Sequence, residues 1–156
     1  MSYLGETGEA SAVYRPMDAV APLMVGSTAA RFVAPGSLTD GRYGLFHWDM
    51  REPSGGAGPH FHRTFSESFY VLAGRVELYD GTNWVKASSG DFVYVPEGGV
   101  HGFRNPEGAA SMLILFAPGP PRERYFEELA EIIESGRQLS DEEWTELWAR
   151  HDQYMV

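Results

Sequence analysis

From Ala30 to Phe116 the chain is interrupted every few residues by glycine, proline, aspartate, asparagine or serine, and the stretches between are short, apolar and rich in aromatic and β-branched side chains. Runs of about four to eight residues with this character read as strands. They fall at Ala30 to Val33, Tyr43 to Met50, His60 to Arg63, Glu67 to Leu72, Arg75 to Tyr79, Trp84 to Ala87, Phe92 to Val95, His101 to Asn105 and Ser111 to Phe116. Asp80-Gly81, Ser89-Gly90-Asp91, Glu97-Gly98-Gly99 and Asn105-Pro106-Glu107-Gly108 supply turns between them, because these residues tolerate the backbone angles that reverse a chain. No helical period intervenes, so this region is expected to be all-β, an antiparallel barrel or sandwich.

The pattern stops at Pro118-Gly119-Pro120-Pro121, where three prolines remove the donors a sheet needs. Tyr125, Phe126, Leu129, Ile132 and Ile133 then recur at helical spacing, with Gly136 placed for a left-handed C-terminal residue. Ser140 and Glu143 form a capping box for a second helix, whose apolar face is Trp144, Leu147, Trp148 and Met155. Both helices are expected to pack on the outside of the barrel. This divides the chain into an N-terminal arm (1–29), a barrel (30–118) and a helical extension of the same domain (119–156). Val13, Tyr14 and Met17 are the arm's candidates for packing against the domain or a second subunit.

A chain of 156 residues, 43% of them hydrophobic, has room for one core and can bury roughly 70% of its unfolded surface. It contains no cysteine. Disulfides and thiolate ligands are thereby excluded together, and any metal must be held by imidazole and carboxylate. The first twenty residues carry Glu6, Glu9, Arg15 and Asp18 and resemble no signal peptide, and no stretch is apolar for long enough to span a bilayer. A cytoplasmic location is expected. The net charge of −10 repels phosphate backbones and anionic head groups, so neither nucleic acid nor membrane is an expected partner.

Four residues form a set that bears chemistry. His60 and His62 are two apart, so on a strand both rings leave the same face with Cα atoms about 6.6 Å apart, and two such rings can converge on one ion. Glu67 lies five residues beyond His62; on one straight strand it would face the other way, about 16 Å off. The chain must therefore turn within Arg63 to Ser66. His101, at the head of another strand, can bring the remaining ligand from across a barrel. His47 is a candidate for supporting the site from behind, and His151, on the last helix, is expected to be solvated.

These residues carry a resemblance to the cupin superfamily. Pro59 to Gly74 resembles its first motif through His60, His62, Glu67 and Gly74, and Gly90 to Asn105 resembles the second through Gly90, Pro96, Gly98, His101 and Asn105. Ser54 stands where the first motif leads with glycine, with Gly55, Gly56 and Gly58 nearby, a change expected to alter a loop and spare the ligands. The resemblance implies a jelly-roll barrel (double-stranded β-helix) in which His60, His62, Glu67 and His101 bind one divalent transition metal ion. Three imidazoles and a carboxylate suit Fe, Mn, Ni, Co, Cu or Zn and discriminate weakly among them.

Glu67, the ligand most able to exchange, is the candidate general base. Phe69 and Val71, on its face of the strand, and Phe103 and Asn105, on the face of His101, are the candidate substrate pocket, suited to a small aromatic or enolisable organic molecule. Phe116-Ala117-Pro118-Gly119 leading into Arg124-Tyr125-Phe126-Glu127-Glu128-Leu129 resembles the tail of small bacterial cupins similar to quercetin 2,3-dioxygenase. The function so implied is a metal-dependent oxidoreductase of dioxygenase type. Alternatives are a redox-neutral isomerase or polyketide cyclase, or a cupin that binds a small ligand without turnover. The aromatic content of 13%, the apolar helix faces and the habit of similar cupins make a homodimer the expected assembly.

Overall fold

A computed structural model of the chain describes residues 2–54 and 56–156; Met1 of the arm and Gly55 of the glycine cluster lie outside the described residues. After a 3₁₀ turn at Met17–Ala19 come strands β1 (Leu23–Val25), β2 (Thr28–Ala34), β3 (Gly44–Met50), β4 (Ala57–Phe61), β5 (Ser66–Ala73), β6 (Arg75–Tyr79), β7 (Trp84–Ser88), β8 (Phe92–Val95), β9 (His101–Arg104) and β10 (Ala110–Ala117). Helices α1 (Arg122–Ser135) and α2 (Asp141–Arg150) and the short strand β11 (Tyr154–Met155) complete the chain.

The strands build two facing sheets, one of six in the order β1-β2-β3-β10-β5-β8 and one of five in the order β11-β4-β9-β6-β7, and every pairing is antiparallel. Period-two alternation decides what lies between them. β3 turns Phe46, Trp48 and Met50 inward, β10 turns Met112, Ile114 and Phe116, and β6 turns Val76 and Leu78, all buried. Phe46 sits at the centre, its ring 4.9 Å from Phe32, 5.3 Å from Phe116 and 5.6 Å from Phe126 of α1. Both helices lie outside the barrel, as their apolar stripes require. Gly136 has φ 66° at the end of α1, and the Ser140–Glu143 capping box starts α2.

Several expectations need correction. The six-stranded sheet begins at Leu23, so residues 23–29 belong to the barrel rather than to the arm. β4 runs earlier than expected, from Ala57, and ends at Phe61, because it takes three residues from Ala57 to His60 where its partner β9 takes two from Phe103 to His101. Just before β4, Gly56 has a φ of 58° and approaches the Phe103 carbonyl so closely that there is no space for a Cβ.

Met155 does not continue the face of α2. Asp152, at φ 52°, turns the chain, and Met155 pairs with His60 in β11. Val13, Tyr14 and Met17 stay largely exposed; the arm is tied instead by Arg15, whose Nη1 donates to the Val33 carbonyl at 2.8 Å. His47 lies on the outward face of β3, opposite Arg31 and Leu113, and does not approach the site.

Candidate metal centre

The four expected ligands come together from three places in the fold. His60 on β4 and His101 on β9 are direct cross-strand partners, with ring centroids 4.4 Å apart. Glu67 is the second residue of β5, in the facing sheet, on the inward face with Phe69 and Val71. His62 stands just beyond β4, where the chain turns through residues 62–65 as the odd interval to Glu67 demands, and its ring stacks on Phe65 at 4.3 Å. All four are buried, and one donor atom from each lies within 4.8 Å of the other three.

Each imidazole is oriented by a backbone carbonyl. His60 Nδ1 is 2.7 Å from Gly58 O, His62 Nδ1 is 2.6 Å from Asp152 O, and His101 Nδ1 is 2.9 Å from Gly99 O. A carbonyl oxygen can only accept, so Nδ1 carries a hydrogen in every ring and Nε2 is the atom an ion would take, displacing any proton held there. The Asp152 side chain accepts from the amides of Arg63 and Thr64 at 2.8–3.1 Å, clamping the turn that presents His62, and Gly98 N donates to His62 O at 2.7 Å.

His62 Nε2 and His101 Nε2 both point at Glu67 Oε2, at 3.0 and 2.8 Å. Burial works to raise the Glu67 carboxyl pKa, but these two hydrogen bonds prevail and hold it well below the usual range. Burial works to lower His101, and its bond to the Glu67 carboxylate outweighs that and raises it above 6.5. His60 has no such bond; burial and the neighbouring His101 push it down to about 3. Three imidazoles with Nε2 converging beside an ionised carboxylate are the donor set of a divalent transition metal, so the residues present fit the ion.

A pH dependence follows, with a definite sign. The metal must displace a proton held on His101 above its ordinary pKa, whereas His60 stays neutral until strongly acid conditions. Metal affinity is therefore expected to be level at alkaline pH and to fall about tenfold per unit as pH drops below the His101 pKa. Competition with a chromophoric chelator from pH 8 to 5 measures this; an affinity unchanged over that range would contradict the assignment of His101.

Beside the ligands lies a cavity of about 480 Å³, lined by His60 and Glu67 and by Trp48, Phe103, Tyr125, Phe126, Trp144 and Trp148, with Arg122 and Gln153. The helices thus do more than cover the barrel, since their apolar faces form one side of the cavity. Of the four expected pocket residues, Phe103 lines it. Phe69 and Val71 also face inward but are outside the cavity lining: both are fully buried, and the Phe69 ring packs in the core against His101 and Phe103, 5.9 Å from each.

Asn105 is fully buried and structural: its Oδ1 accepts from Ser54 N and Oγ at 3.0 and 2.8 Å, and its Nδ2 donates to Glu52 O and Gly108 O. Ser54 thereby anchors its loop by its own hydroxyl, and the ligands are undisturbed. His151 is not solvated; its Nε2 meets Glu128 at 3.0 Å, and its side chain is 13% exposed. Sequence reasoning missed Arg122 and the aromatic wall on α1 and α2. The helical periodicity marked those apolar residues as packing, which is also what they do.

A double-stranded β-helix with a buried His/His/Glu/His cluster is an arrangement of cupin type, and the comparisons agree with it: residues 48–117 match the Cupin domain family. Among particular relatives, it is 29% identical to quercetin 2,3-dioxygenase of Bacillus subtilis over 98 residues, 62% of this chain and 28% of that one. The chain spans half or less of the length of the curated relatives it matches. The polyketide cyclase RemF from Streptomyces resistomycificus superposes with a TM-score of 0.51 at 26% identity, covering 58% of this chain and 65% of that one. An RmlC-like cupin from Shewanella frigidimarina superposes at 0.60 with 16% identity, covering 69% and 92%. Among the described residues no helix is long and apolar enough to cross a membrane.

Proposed function

We propose that the chain is a metal-dependent enzyme of the dioxygenase type, acting on a small aromatic or enolisable organic molecule held in the cavity between barrel and helices. The observation that carries this reading is the opening of a buried three-histidine, one-glutamate cluster onto an aromatic-walled cavity. His60, His62, Glu67 and His101 would hold the ion. When bound, it supplies Lewis acidity and, if Fe, Mn, Ni, Co or Cu, a redox centre.

The chain's own residues do the rest. Trp48, Phe103, Phe126, Trp144 and Trp148 form walls that suit a planar ring and exclude water. Glu67, ionised and in the cavity wall, is placed to take the proton of an acidic substrate hydroxyl once the two imidazole bonds to it are given up to the ion. The likeness to the Bacillus dioxygenase supports an oxidative reaction. The likeness to RemF favours a second reading, a redox-neutral cyclase or isomerase in which the ion acts only as Lewis acid.

Oxygen uptake separates the two. Protein loaded with Fe, Mn, Ni, Co or Cu is expected to consume oxygen when given a flavonol such as quercetin, and Glu67→Gln to lose turnover by about 100-fold or more. Chemical conversion without oxygen uptake would establish the second reading. Full turnover by metal-retaining Glu67→Gln would remove Glu67 from the role of base.

We also propose a homodimer, joined through the outer face of β5 and the edge strand β8, where Tyr70, Leu72, Phe92 and Tyr94 are exposed side by side. Light scattering tests it, and a monomer at micromolar concentration would refute it.

A further inference from the structure

Arg122, the first residue of α1, is 4% exposed and lines the cavity together with Glu67. Its guanidinium lies over the ring of Tyr125 at 4.1 Å, with Phe65, Phe116 and Phe126 at 5.6 to 5.8 Å. Nη1 donates to His151 O at 2.9 Å and Nη2 to Gln153 Oε1 at 2.6 Å, both neutral acceptors. Nε is buried and has no acceptor among the described residues, and no described carboxylate lies within ion-pairing distance of the group. An arginine keeps its charge even when buried. A buried cation with neutral partners and one idle donor is costly, and aromatic faces recover only part of that cost.

The charge of the whole cavity sharpens the point. Glu67 is the sole carboxylate in its described wall. It offsets half the charge of a divalent ion, and Arg122 adds its own, so the loaded site carries a positive excess facing an otherwise apolar space. We propose that the cavity selects an anionic ligand, an aromatic carboxylate, enolate or phenolate, and that Arg122 is the specificity-determining residue that receives its negative oxygen. This rests on the reading of the cavity as the ligand site and adds the charge of what enters it. A neutral ring of the same shape fills the apolar walls but leaves Nε unpaired, which is the situation that discriminates most strongly.

The test is binding, so that it does not depend on turnover. Zinc-loaded protein is titrated calorimetrically with 2-naphthoate and with 2-naphthamide, which share a ring system and differ in charge. Wild type is expected to prefer the carboxylate by about tenfold to hundredfold, and Arg122→Gln, which retains amide donors for the tail, to lose most of that preference while still binding the amide. In metal-free wild type the pull of the ion is gone, so a carboxylate preference that persists there at alkaline pH, where His101 has given up its proton, belongs to Arg122 even if the variant fails to fold. Equal affinities in the wild type, no preference in its metal-free form, or an undiminished preference in Arg122→Gln would each overturn the proposal while leaving the cavity a ligand site. Failure of both probes to bind would overturn the reading of the cavity itself, and the proposal with it.

Discussion

Replacing His101 by alanine is expected to lower metal affinity by more than about 100-fold, a loss at least as large as those seen when groups behind a ligand are removed. Two effects combine. One of four donors is lost, and the ring packed 4.4 Å from His60 across the bulged β4–β9 pair disappears. In the wild type, adding metal should raise the melting temperature, since an ion that binds only the folded state stabilises it; in His101→Ala that rise should vanish. His47→Ala is the control. Its ring leaves the outer face of β3, and metal content should stay at the wild-type level. Calorimetric metal titration of the three proteins checks both statements, and wild-type affinity in His101→Ala would remove that residue from the ligand set.

The largest effect on stability is expected at Phe46. Its side chain is fully buried and touches rings from β2, β10 and α1, so Phe46→Ala leaves a void between the six-stranded sheet and α1. The cost is about 3–5 kcal/mol, which for a chain of this size is a fall in melting temperature of roughly 6–20 °C. Because the ring of Phe126 rests on Phe46, the loss should also loosen α1 and the cavity wall it provides. Tyr14→Ala, at a side chain 87% exposed, should change stability by less than about 0.5 kcal/mol. Chemical denaturation monitored by circular dichroism distinguishes them; near-equal midpoints would mean that Phe46 is not at the centre of the core.

Much of this arrangement is legible in the residues. β6 and β8 have the bounds that their turn signals mark, and the corner before Glu67 follows from an odd interval between ligands that must share one point. What escaped has physical causes. β1 is three residues long and β11 two, too short for any period to register. Met155 falls at helical spacing from Trp148, and only the positive φ of Asp152 diverts it to β11. Period-two alternation marks inward faces on β5 and β9, yet facing inward is common to the core and to the cavity, and no period shows that Phe69 packs on His101 within the core while Phe103 reaches the cavity wall. The carbonyls of Gly58, Gly99 and Asp152 that orient the ligands belong to the backbone and leave no mark in composition. Arg122 looks, in sequence, like one more charged residue at the start of a surface helix; its burial depends on the tail folding back over it.

If His60, His62, Glu67 and His101 form one metal site, elemental analysis of protein purified without chelator will find about one transition metal ion per chain in the wild type, as a single set of four buried donors allows, and less than about a tenth of that in His60→Ala. A wild type that carries no metal as purified and takes up none when offered Fe, Mn, Ni, Co, Cu or Zn would contradict that assignment.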